Sequence, residues 1–218
     1  DNKAFGLCGS LIYKTAPLEG LSETAGFYYA NSPFDSLRED NADISIVKSG
    51  KDTFSRYDVS TDGDWHMAVL AQVYLQYDFS KTSFKFGRQF FESALTASND
   101  TKMIPNAFEG LSFESKEIAK TTLKGAYLTS QKLRDHTTFH DILTYEDSSG
   151  NAWNNSDDSG THKGLSYANF KAAGEDTENE LVIAAISNNS LENLKLDVTY
   201  TAVPDVVSSV IGEINYKI

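Results

Sequence analysis

The chain has no apolar run approaching the ~18 residues that a membrane-crossing helix needs. It holds one cysteine, four prolines and two tryptophans. A single thiol, Cys8, excludes an internal disulfide; within the apolar run Phe5 to Ile12 it reads as a small packed hydrophobe. With 19 basic side chains against 31 acidic ones the net charge is −12, so the basic footprint of a nucleic-acid partner is missing. The opening Asp1-Asn2-Lys3-Ala4-Phe5 is no signal peptide, and a mature or a truncated chain would look the same. A mean hydropathy of −0.38 does not exclude a membrane. The strands of a barrel alternate apolar and polar residues and average out.

What is present is aromatic and period-two. Aromatics make up 12 % of the chain, led by Phe and Tyr, beside 14 glycines. In 66–78 one parity reads Met67, Val69, Ala71, Val73, Leu75, Tyr77, and the other His66, Ala68, Leu70, Gln72, Tyr74, Gln76, Asp78. A helix does not sort residues this way. The same sorting sets Leu194, Leu196, Val198, Tyr200 and Ala202 against Lys195, Asp197, Thr199 and Thr201. It returns in Phe5, Leu7, Gly9, Leu11, Tyr13, and in Leu21, Ala25, Phe27, Tyr29, broken only by Glu23. Leu111 and Phe113 likewise face away from Ser112, Glu114 and Lys116.

These segments predict about nine strands: 3–14, 20–30, 65–79, 83–89, 107–117, 121–130, 180–188, 193–202 and 206–217. Tight turns near Pro17, Lys81, Ala119 and Glu192 alternate with long polar stretches at 31–63, 90–106 and 131–179. Up-and-down outer-membrane barrels alternate in this manner, with short periplasmic turns and long extracellular loops. The acidic excess falls in the long loops and reads as a solvated surface.

Residues 83–118 carry a recognisable stretch, Ser83-Phe-Lys-Phe-Gly-Arg-Gln89 and then Asn99-Asp-Thr-Lys-Met-Ile-Pro-Asn-Ala-Phe-Glu-Gly110. It resembles the OprD-type porins, and particularly their relatives in campylobacter-like bacteria. There a strand ending Gly-Arg-Gln precedes a loop that returns through Asp-x-Arg-x-x-Pro-x-x-Phe-x-Gly. Asp100, Pro105, Phe108 and Gly110 match, while Lys102 stands where the family commonly has Arg, which removes a bidentate anion contact. The hairpin Gly9 to Gly20, with Thr15-Ala-Pro-Leu-Glu-Gly20, and the segment Leu194 to Tyr216 are also similar to the family.

The resemblance implies an antiparallel up-and-down transmembrane β-barrel of about eighteen strands in the bacterial outer membrane. About nine would be supplied here, a partial barrel with two unpaired edges that should not fold stably alone in a membrane. The end at Tyr216-Lys217-Ile218 reads as the end of an internal strand, so the sequence is expected to be a fragment. The implied function is a water-filled channel for small hydrophilic solutes, surrounded by lipid and assembled as a homotrimer, with no cofactor.

By position, loop 90–106 would narrow the pore, with Asp100, Thr101 and Lys102 as its constriction residues. Parity places Lys85, Gln72, Gln76, Ser112, Glu114, Lys124 and Lys195 on the wet wall. Arg88 shares parity with Phe84 and Phe86, and needs a bulge or the loop entry to turn inward. Tyr13, Tyr28, Tyr29, Tyr77, Tyr127 and Tyr216 are candidates for interfacial aromatic girdles.

Two rival readings stand against the channel. For an enzyme, His136 and His140 stand beside Asp135 and Asp141, but the spacing suits a metal only on a helix, and His162 is remote. No phosphate loop or nucleophile elbow is present, so no catalytic residue is expected. The stronger rival is a soluble or surface-attached β-domain that binds a ligand through its long loops. It requires the apolar faces to be packed inside, and alternation alone does not say which face is wet.

Overall fold

The computed structural model describes residues 5–34, 54, 58–59, 63–98, 103–133, 136–143 and 167–217. Its nine strands are β1 Leu7–Lys14, β2 Leu21–Asn31, β3 His66–Phe79, β4 Thr82–Gln89, β5 Ala107–Ser115, β6 Thr121–Lys132, β7 Leu181–Asn188, β8 Leu194–Val203 and β9 Val207–Tyr216. They form one antiparallel sheet in sequence order, β1 to β9, as an up-and-down meander does. A short helix, α1 Tyr167–Ala173, precedes β7.

Four tight turns share one rim. Each holds a non-glycine residue in the left-handed region: Glu19 (φ 50°, followed by Gly20 at φ 88°), Ser80 (φ 54°), Lys120 (φ 55°) and Asn193 (φ 58°). Neighbouring turns are stapled together, because Lys81 N–H donates to Glu117 Oε1 at 2.7 Å and Lys116 N–H donates to Lys81 O at 2.9 Å. The backbone bond from Lys81, followed by the Ser80 hydroxyl, lowers the Glu117 carboxyl from its ordinary value. A depressed acid stabilises the folded state above its unfolded pKa and loses that contribution as pH falls through the folded value. The side-chain carbon of Glu117 should therefore titrate below the ordinary ~4.3 by NMR. A midpoint at or above that value would contradict the staple.

Register shows which face is which. One row crosses eight strands as Leu21, Tyr77, Phe84, Phe113, Gly125, Ala184, Tyr200 and Val210. The next row, on the opposite face, is Ser22, Gln76, Lys85, Ser112, Ala126, Ile183, Thr201 and Ser209. The apolar row is the exposed one: Leu21, Tyr77, Phe84, Phe113, Tyr200 and Val210 all lie open. On the polar row Ser22, Ser112 and Thr201 are buried. A soluble sheet packs its apolar face inward, so this sheet is inside out for water. The soluble ligand-binding domain is overturned by that inversion.

The sequence reading of β3 needs one correction. Its apolar parity does not stay on one face, because Gly26 pairs with Gln72 while Phe27 pairs with Leu70. Ala71 is thus an extra residue, a β-bulge, and period two inverts across it. Met67, Val69 and Ala71 are buried on the inner side, whereas Leu75 and Tyr77 are exposed on the outer side. A second bulge sits in β6, where Glu109 pairs with Ser130 and Gly110 with Leu128, leaving Thr129 unpaired in register.

Two further expectations change. Cys8 is exposed rather than packed, since it lies on edge strand β1 opposite Ala30 and on the parity of Ser10 and Lys14. Tyr28 is no girdle residue: it is buried, and its hydroxyl donates to Gln72 Oε1 at 3.0 Å on the inner face. Tyr13, Tyr29, Tyr77, Tyr127 and Tyr216 are exposed, as a girdle requires.

Candidate functional site

The inner face is covered by the loop between β4 and β5. Phe90, Met103 and Ile104 pack on Tyr28, Ala30, Met67, Val69 and Ala71. Phe91 packs with Phe108, Ala126, Leu128 and Ile183. These clusters explain why apolar Met67, Val69, Ala126 and Ile183 occupy inward positions in otherwise polar rows. The loop is tied at its neck, where Asn106 N–H donates to Ser98 O at 2.7 Å and Asn106 Nδ2 donates to Ala97 O at 3.1 Å. Within it the Glu92 carboxylate accepts from Ser98 N–H at 2.8 Å and from the Ser98 hydroxyl. Asp100, Thr101 and Lys102, the expected constriction residues, lie outside the described residues.

The Gly-Arg-Gln stretch has a structural reason. Gly87 and Gly110 face each other across β4 and β5, at φ 122° and φ 147°. A Cβ on Gly87 would meet Val73 O at 2.2 Å, and one on Gly110 would meet Tyr127 O at 2.2 Å. The space over this pair is filled by Gln89, which is fully buried. Its Nε2 donates to Gly110 O at 3.1 Å, and its Oε1 accepts from the Ser112 hydroxyl at 2.5 Å. Alternation does not mark Gln89 as a site residue; its one signal in the sequence is its place near a glycine within a strand.

Arg88 keeps strand register with Val73 and Glu109, and no bulge interrupts β4. Its Nε donates to Glu109 Oε1 at 2.9 Å, Ser130 Oγ donates to Glu109 Oε2 at 2.8 Å, and the guanidinium lies 4.4 Å from the Phe139 ring centroid. The guanidinium therefore holds the loop residue Phe139 against the sheet.

The remaining expected wall residues share the inner face. Lys85 lies over the Tyr74 ring, 5.0 Å from its centroid. Glu114 pairs with Lys116 at 2.5 Å and with Lys124 at 3.4 Å, and Lys195 pairs with Asp197 at 3.0 Å. These ions are partly exposed to solvent, so each pair is worth about 1 kcal/mol or less. They border a groove of ≈ 370 Å³ whose floor is Thr122, Ala185, Ser187 and Thr199 and whose lip is Glu92 of the inserted loop.

His136 and His140 come together without a helix. Nδ1 of His136 is 2.9 Å from Nε2 of His140, in a segment whose Gln131–His140 bridge extends β6. Among the described residues no group of three metal-ligating side chains forms. The pair is buried packing at the long-loop rim, beside the Asp141 carboxylate that accepts from Leu143 N–H at 2.8 Å.

An open antiparallel sheet with an apolar outside, a polar inside and an inserted loop is the geometry of a barrel wall. Residues 48–207 match the family described as outer membrane porin, OprD family. The chain belongs to the OprD family of outer membrane porins. Among solved structures it is similar to OccK8 (OprE) of Pseudomonas aeruginosa, at 16 % identity and a TM-score of 0.66, over 97 % of this chain and 44 % of that one. It is also similar to OccAB3 of Acinetobacter baumannii, at 16 % identity and TM-score 0.65, over 97 % and 46 %. A third is OpdK of Pseudomonas aeruginosa with vanillate, at 12 % identity and TM-score 0.64, over 97 % and 47 %. At these identities the likeness is one of fold. The chain spans just under half the length of these OprD-type porins. No curated protein matches the sequence.

Proposed function

We propose that this chain supplies about half of the wall of an outer-membrane channel through which small hydrophilic solutes diffuse passively. The observation that carries the reading is the inversion of the sheet, with an exposed apolar row beside a polar row that is buried or half-buried. In a barrel the apolar row meets lipid and the polar row meets water. Lys85, Ser112, Glu114, Lys124 and Lys195 then line the lumen, with loop 90–106 and its Asp100, Thr101 and Lys102 as the constriction. Arg88 serves at the loop entry, with its charge held by Glu109. We also propose that the chain lies near the campylobacter-like branch, on the resemblance carried by 83–89, 99–110 and the Gly9 to Gly20 hairpin. A homotrimer is the expected assembly, to be read by crosslinking in native membranes.

Liposome swelling tests the channel. Proteoliposomes of the full-length protein should swell in small neutral sugars and slow as solute size rises, and absence of swelling would contradict the proposal. Cys8 offers a second check, because its parity points into the lumen. A charged, membrane-impermeant thiol reagent should label it and lower solute flux, whereas Cys8→Ser should remove that sensitivity. Labelling only by lipid-soluble reagents would place β1 the other way round.

A further inference from the structure

Charge on the inner face is compensated within the wall. By parity the strands present Lys14, Lys85, Lys124 and Lys195 inward, against Asp78, Glu114, Asp197 and Glu213. The groove repeats this balance at close range. On one side Glu114 bridges Lys116 and Lys124, which reach it from the following turn and the next strand. On the other side Asp197 holds Lys195. Between the two clusters runs β7, whose inward Ala185 and Ser187 are small. Strands β6 and β8 are therefore about 10 Å apart across a shallow trough, two interstrand spacings. Lysines already paired with wall carboxylates present little net field to an arriving anion, since the acid cancels the base within a few ångströms.

We infer that Glu114 is a specificity-determining residue: with Asp197 and with Glu92 at the lip it balances the three lysines of this groove, Lys116, Lys124 and Lys195, so that the wall favours net-neutral, dipolar solutes such as zwitterions over anions. The inference rests on the channel reading. A solute carrying both a carboxylate and an ammonium exchanges partners with the wall pairs at either side of the trough, and no ion is left uncovered. An anion must displace Glu114 from two lysines and leave that carboxylate unpaired. Glu114 is the stronger of the two devices because it covers two cations and Asp197 one.

The test is the chloride-to-potassium permeability ratio of the full-length channel in planar bilayers under a salt gradient. Glu114→Gln should raise the ratio by about fivefold, the order set by uncovering a unit charge at contact distance in a water-like medium. Adding Lys124→Gln to it should bring the ratio back toward wild type, a rescue that a merely structural role would not give. Glu117→Gln, on the exposed turn, should leave the ratio unchanged. Should Glu114→Gln fail to assemble, Asp197→Asn frees Lys195 independently, and a smaller rise is expected. Open channels whose ratio does not move with either substitution would overturn the inference while leaving the channel intact. Protein that never opens a channel would instead remove the reading on which it rests.

Discussion

Gly87→Ala and Gly110→Ala should each prevent or severely weaken folding of the barrel, although alanine is the smallest change available. The two glycines face each other at φ 122° and φ 147°, a region that residues with a Cβ avoid. Backbone strain of this kind costs about 1–3 kcal/mol. The new methyl also lands 2.2 Å from a carbonyl oxygen of the adjacent strand, Val73 O for Gly87 and Tyr127 O for Gly110. Backbone in mid-sheet cannot yield without breaking ladder bonds, so the two penalties add. Gly9→Ala and Gly212→Ala are the controls, because nothing lies within 4 Å of a Cβ at either position. Urea unfolding of the refolded full-length protein in liposomes should show losses of at least ~2 kcal/mol for the first pair. Equal stability of Gly87→Ala and Gly9→Ala would contradict the proposed role of the glycine pair.

The second large effect concerns which face meets lipid. Leu111→Arg places a charge on the exposed apolar row beside Phe86 and Tyr127, and should cost up to about 2–4 kcal/mol, the cost of an arginine facing hydrocarbon rather than the interface. Ser187→Arg, on the inner face between Thr122 and Asp197, should cost under ~1 kcal/mol because a water-filled lumen solvates it. The comparison is made by folding both variants into lipid vesicles and unfolding them in urea. A larger loss for Ser187→Arg than for Leu111→Arg would mean that the faces are exchanged.

Much of this architecture is legible along the chain. All nine expected strands are present to within a few residues, because alternation and turn chemistry are local and survive any tertiary setting. Ser112, Glu114 and Lys124 fall on the polar face by parity alone. What period two cannot register is an inserted residue. Ala71 shifts the whole upper part of β3 to the other side, and it looks like any other alanine in an apolar run. Tyr28 lies opposite Phe27 and Tyr29 in parity, so alternation alone turns it inward; its partner Gln72, 44 residues away in sequence, is what alternation does not show. Pairings such as Arg88 with Glu109 and Gln89 with Ser112 join residues more than twenty apart. They depend on sheet register, which alternation leaves open. The inversion of faces, which separates a channel wall from a soluble β-domain, likewise became visible only with burial.

The most direct test of the account is the single-channel conductance of the full-length protein refolded into planar bilayers. Stepwise, ohmic openings are expected, as a water-filled lumen lined by Lys85, Glu114, Lys124 and Lys195 requires. A protein that stays folded and soluble without detergent, and never opens a channel, would contradict the account.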